Sequence, residues 1–90
     1  MVVNGKRSSR SRILARLKRA EGHLRAVIGM IEADRSCLDL AQQLHAVEAA
    51  LSGAKRELIH DHIENCLEQP AVAGEHAEAL IELKAITKYL

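Results

Sequence analysis

The feature that most constrains this chain is a long proline-free stretch with a helical beat. Ser36-Cys37-Leu38-Asp39 is a serine with an acid three residues later, the sequence form of a capping box. Apolar or small residues follow at Leu40/Ala41, Leu44, Val47, Ala50/Leu51, Ala54, Leu58 and Cys66, and no proline occurs until Pro70. One helix of about 30 residues and about 45 Å is expected. A helix this long in a 90-residue chain needs a partner helix along its length.

Two shorter helices frame it. Ile13/Leu14, Leu17, Ala20, Leu24, Val27/Ile28 and Ile31 set the same beat, starting near Ser9 or Ser11 and fading at "EADRS". After the break "EQPAVAGE", a third helix is expected from about Glu75 to Tyr89, with Ala79/Leu80, Leu83 and Ile86/Thr87 inward. The chain is 48% apolar but 1% aromatic. A core of Leu, Ile, Val and Ala without Phe or Trp suits helix-on-helix packing. The expected fold is all-α, a three-helix protomer, with residues 1–10 a flexible basic tail and 11–90 one domain. So small a chain gains stability by oligomerising.

Charge is distributed unevenly. Residues 1–25 carry eight basic groups and one acid, whereas residues 26–90 carry five basic groups and eleven acids. A basic N-terminal third points to a polyanion partner. Arg16, Lys18, Arg19 and Arg25 lie inside the first helical pattern, which argues against a merely solubilising tail. No apolar run approaches the roughly 20 residues that span a bilayer, and "MVVNGKRSSRSR" is unlike an export segment. A cytoplasmic protein with reduced thiols is expected.

"HDHIENC" places His62 and Cys66 four apart, on one helix face. The other thiol, Cys37, sits in the first turn of the same helix, where the thiolate form is favoured. Cys37 and His62 are 25 residues apart, or roughly 38 Å along one helix, far beyond metal–ligand bonds of about 2.0–2.3 Å. Two antiparallel copies of the helix solve the problem. Their two-fold would fall near Ala50 and Leu51, where Ala46, Ala49, Ala50, Ser52, Gly53 and Ala54 permit close approach. Each dimer then holds two sites, each made of Cys37 with His62 and Cys66 of the partner subunit. Two thiolates and an imidazole suit Cu(I), or Zn(II) with a fourth ligand.

"RLKRAEGHLRAVIGMIE", the capped Cys37, "QQLHAVEAAL" and "HDHIENC" together resemble the bacterial copper-sensitive operon repressors (CsoR), over about Arg12 to Leu90. The resemblance implies a long antiparallel helix pair dimerising into a four-helix bundle, and a dimer-of-dimers tetramer. It implies Cu(I) held trigonally by Cys37, His62 and Cys66, and a repressor that releases operator DNA on binding metal. Related sensors answer to nickel or cobalt, formaldehyde or persulfide. The tail "MVVNG" lacks the histidine of nickel and cobalt sensors. Val2 and Cys66 differ from formaldehyde sensors, and His62 from persulfide sensors. Glu82 matches a family glutamate that bonds near the ligand histidine. Ser36 replaces the usual tyrosine, and Gly53 replaces a basic residue, with Lys55 and Arg56 nearby.

No helix-turn-helix is recognisable, and no aromatics accompany the basic segment, so duplex phosphates are the expected target. Arg12, Arg16, Lys18 and Arg19 are the first candidates, then Arg10, Lys55 and Arg56. Rival readings are a structural adaptor, a thiol enzyme using Cys37, and a di-iron bundle using Glu57-x-x-His60 with Glu48. His23, His45 and His76 read as surface or packing residues, and His60 does not share a face with His62.

Overall fold

The computed structural model describes the backbone of residues 5–68 and 73–90, and the side chains of residues 9–65 and 78–90. Three α-helices, α1 (Gly5–Glu32), α2 (Cys37–Glu68) and α3 (Ala73–Ile86), are followed by a 3₁₀ turn, Thr87–Tyr89. The expected all-helical, three-helix protomer is what forms. Helix α1 begins earlier than Ser9 or Ser11, taking in 5–10 of the stretch expected to be a tail. Nothing between Lys6 and Ile13 breaks a helix, so the start is not fixed by the first apolar residue. Helix α3 likewise starts two residues before Glu75. Residues 69–72 of the expected break lie outside the described residues.

The α1–α2 connection is closed by two local motifs. Asp34 takes a left-handed conformation (φ 56°). Asp34 N donates to Ile31 O at 3.1 Å, and Arg35 N donates to Met30 O at 3.0 Å. This is the paired bonding of a Schellman stop, with aspartate where glycine is usual. Ser36 Oγ then accepts from Asp39 N at 3.1 Å, capping α2 as the sequence predicts. The Asp39 carboxylate turns instead to Arg35, at 3.4 Å.

Helices α1 and α2 lie antiparallel, and between them is a thin core. Ile13, Ala20 and Val27, seven apart on α1, are buried, as are Val47, Ala54 and Ile59 on α2. Seven residues make almost two helical turns, so the α1 set keeps one seam; on α2 the spacing is seven and then five residues. The apolar beat seen in the sequence is therefore two seams on each helix. The second stays uncovered in the protomer: Leu14, Leu17, Leu24, Ile28 and Ile31 on α1, and Leu44, Leu51 and Leu58 on α2, are each 41–54% exposed. On α3, Ala79, Leu83 and Ile86 are partly covered. Leu80, expected inward, is 52% exposed, and the Thr87 hydroxyl, expected inward too, donates to Lys84 O at 2.6 Å.

The protomer measures 58 × 34 × 14 Å, hardly thicker than one helix with its side chains, about 10–12 Å. Its radius of gyration is 17.9 Å, against about 12 Å for a compact chain of this length. It exposes 7230 Å², where a compact monomer of this mass exposes about 5,200 Å². A single layer of helices has no second layer to bury its outer seam.

Candidate metal centre and nucleic-acid face

Cys37 is the first residue of α2 and its thiol is exposed. His62 lies near the other end of the same unbroken helix. The two are therefore about 38 Å apart along it, and one chain does not bring them together. Cys66 follows His62 by one turn of α2; its side chain is outside the described residues. Among the described residues, no three His, Cys, Asp or Glu side chains converge closely enough to hold a metal ion.

The imidazole of His62 is 27% exposed, and its Nε2 lies 4.0 Å from Glu82 Oε2 on α3. The glutamate singled out by the resemblance thus sits beside the candidate ligand histidine. Both residues face a cleft of about 660 Å³ between the end of α2 and α3, which Arg10, Lys55, Asp61, Asn65 and Tyr89 also line. Asp61 is the buried charged residue among those described, 7% exposed. Asn65 Nδ2 donates to its carboxylate at 3.3 Å. Sequence reasoning missed Asp61: its neighbours Glu57 and Glu64 are chemically alike, and nothing local marks which acid turns inward.

The basic candidates fall into two places. Arg10 and Lys55 share the cleft with His62 and Glu82. Arg12, Arg16 and Arg19 line a groove of about 500 Å³ between α1 and α2, with His23 and Ala50. Lys18 and Arg56 are exposed. One residue unforeseen as an organiser joins two of these cations. Glu57 of α2 accepts from Arg12 Nε at 3.0 Å and pairs with Arg16 Nε at 3.2 Å. Glu57 had stood out only as half of the Glu-x-x-His pattern. Here its carboxylate is given to arginines, and His60 is exposed. His23 Nε2 lies 2.6 Å from Gln43 Oε1, the packing role expected of it. His45 is exposed, and His76 lies outside the described side chains.

The sequence profile of the metal-sensitive transcriptional repressors matches residues 9–88. A copper-sensing transcriptional repressor CsoR from Mycobacterium ulcerans (strain Agy99) is 40% identical over 76 residues, 84% of this chain and 65% of that protein. One from Bacillus subtilis (strain 168) is 36% identical over 79 residues, 88% of this chain and 78% of that protein. The chain spans 57–65% of the length of the mycobacterial CsoR relatives. The solved structure of the nickel-responsive transcriptional regulator InrS is 33% identical and superposes with a TM-score of 0.74, covering 88% of this chain and 89% of that one.

Proposed function

This chain belongs to the metal-sensitive transcriptional repressor family, and on that premise we propose that it is a Cu(I)-responsive repressor of operator DNA. The observation that carries the reading is the layout of α2. One continuous helix has Cys37 at its start and His62 with Cys66 near its end, and an uncovered apolar seam through Leu44, Leu51 and Leu58 between them. An antiparallel second copy on that seam buries it and brings Cys37 of one chain to His62 and Cys66 of the other. The excess exposure of about 2,000 Å² per chain over a compact monomer is ample for such an interface, since specific pairs bury about 1,200–2,000 Å² in total. A dimer of these dimers is the expected DNA-binding form.

Two thiolates and an imidazole form a soft donor set that matches Cu(I), whereas nickel prefers square-planar or tetragonal nitrogen and oxygen ligands. Bound metal supplies a strong, short link between two helix ends on different chains. The protein's own residues do the rest. Glu82 holds the His62 ring and connects α2 to α3. Arg10 and Lys55 line the cleft that contains this pair. Drawing Cys37 toward His62 and Cys66 of the partner subunit displaces the ends of α2, and the basic groups beside them move out of register with the phosphates. Arg12, Arg16, Lys18 and Arg19 carry most of the duplex contact, with Arg10, Lys55 and Arg56 at its edge. Coupling of about 1–3 kcal/mol between the sites corresponds to a 5- to 150-fold loss of DNA affinity. Nothing in this scheme requires catalysis, and the protein acts in the cytoplasm, where its thiols stay reduced. No described helix is long and apolar enough to cross a membrane.

The test is anaerobic titration of reduced protein with Cu(I) against a competing chelator, followed by DNA-binding anisotropy with and without metal. One tightly held Cu(I) per protomer is expected, lost on single replacement of Cys37, His62 or Cys66, with duplex released as the sites fill. Release by Cu(I) from a Cys37→Ala protein would overturn the reading. Tight, stoichiometric Ni(II) with weak Cu(I) would move the protein to the nickel branch represented by InrS.

A further inference from the structure

We infer that Glu57 is a positioning residue for the DNA face, one that fixes Arg12 and Arg16 as a preformed phosphate clamp. The inference rests on the repressor reading above. Arg12 and Arg16 are four apart on α1, so their like charges repel and their long side chains would otherwise wander. Glu57 comes from the facing helix and takes the Nε side of both guanidinium groups, at 3.0 and 3.2 Å. Its side chain is 21% exposed, against 63% for Arg12 and 53% for Arg16. The carboxylate is thus the sheltered partner and the cations are presented to solvent. With the Nε atoms engaged by Glu57, Nη1 of Arg12 and both Nη atoms of Arg16 remain to donate to phosphate. Arg12 Nη2 donates to Ser9 Oγ, one turn earlier on α1, at 3.4 Å, which braces the Arg12 side chain further.

Gly53 belongs to the same device. A Cβ built there would stand 3.4 Å from Arg16 Nη1. That is ordinary van der Waals contact, so the Arg16 guanidinium lies directly over Gly53 on its way to Glu57, and a side chain larger than a methyl there would meet it. One carboxylate against three arginines leaves the groove cationic, with Arg19 beside the clamp and His23 pinned by Gln43 at its end.

The two roles open to Glu57 predict opposite signs. An anion that merely competes with phosphate weakens DNA binding, and its removal strengthens it. An anion that orders two arginines strengthens binding, and its removal weakens it despite the added positive charge. Reduced, metal-free full-length protein should be titrated into a labelled mixed-sequence duplex, by anisotropy, over a series of salt concentrations. Glu57→Gln is expected to weaken binding roughly fivefold and to make the salt slope shallower by about one to two, as ordered phosphate contacts are lost. Glu48→Gln, the same charge change on an exposed part of α2, should leave affinity equal or tighter. Gly53→Leu displaces Arg16 without altering charge; because Gly53 also lies among the small residues at the proposed two-fold, its dimer mass is checked by sedimentation, and the dimeric variant should reproduce the loss even if Glu57→Gln were to fold poorly. Equal or tighter binding by folded Glu57→Gln, or an unaffected Gly53→Leu, overturns the inference and leaves the repressor reading standing. Wild-type protein without salt-dependent duplex binding overturns both.

Discussion

Replacing Leu51 by aspartate should separate the chains and abolish the metal site together. Leu51 is 45% exposed in the protomer and lies where the two-fold of the proposed antiparallel pair passes, so it meets its own copy. Burying the rest of a leucine contributes about 1 kcal/mol per chain, from a full value of about 1.5–3 kcal/mol. Two carboxylates about 6 Å apart at an effective dielectric of about 20 repel by about 3 kcal/mol. The combined effect, about 5 kcal/mol per dimer, raises the dimer Kd by three to four orders of magnitude. Sedimentation of the metal-free protein at micromolar concentration measures the mass, and the chelator titration measures Cu(I) on the same sample. Monomer, with Cu(I) affinity lost although Cys37, His62 and Cys66 are intact, is the expected result. Leu51→Ala, which removes only the burial, should give a smaller shift in the same direction. A Leu51→Asp protein that remains dimeric with full Cu(I) affinity would refute the seam, the two-fold and the shared site at once.

Other outcomes follow from single contacts. Ser36→Ala removes the acceptor for Asp39 N and should cost about 1 kcal/mol in urea unfolding, with Ser36→Gly costing only a few tenths. Gly29→Ala meets nothing within 4 Å and should stabilise α1 by about 1 kcal/mol; a lower melting temperature would show that another chain approaches there. Glu82→Gln should retain one Cu(I) per protomer but blunt metal-driven DNA release, because the 4.0 Å contact from His62 to α3 no longer carries a charge. Undiminished release in the anisotropy assay would remove Glu82 from the coupling route.

Much of the fold and part of the site were legible along the chain because they depend on local chemistry. The capped start of α2 needs only Ser36 and its own next turn. The incompatibility of Cys37 and His62 within one chain needs only the rise of a helix. Helix ends were less legible where nothing stops the chain: α1 runs back to Gly5 because polar residues continue a helix as readily as they leave it. The stop before α2 fell to Asp34 in a conformation normally left to glycine, which composition does not announce.

What the sequence determined by itself is the set of periods, caps and donor types, since each is fixed within a turn or two of backbone. Three helices, a soft His62/Cys66 pair on α2 and a basic first helix all follow from such short-range rules. What only the tertiary structure decided is which of several equivalent faces is turned inward. Ile13, Ala20 and Val27 are covered while Leu14, Leu17 and Leu24 are not, although both sets keep a helical beat. Glu57 meets two arginines 41 and 45 residues away because the α1–α2 register sets it opposite them. That register arises from the packing of whole helices against one another, and a sequence pattern with two apolar seams per helix is compatible with more than one such packing.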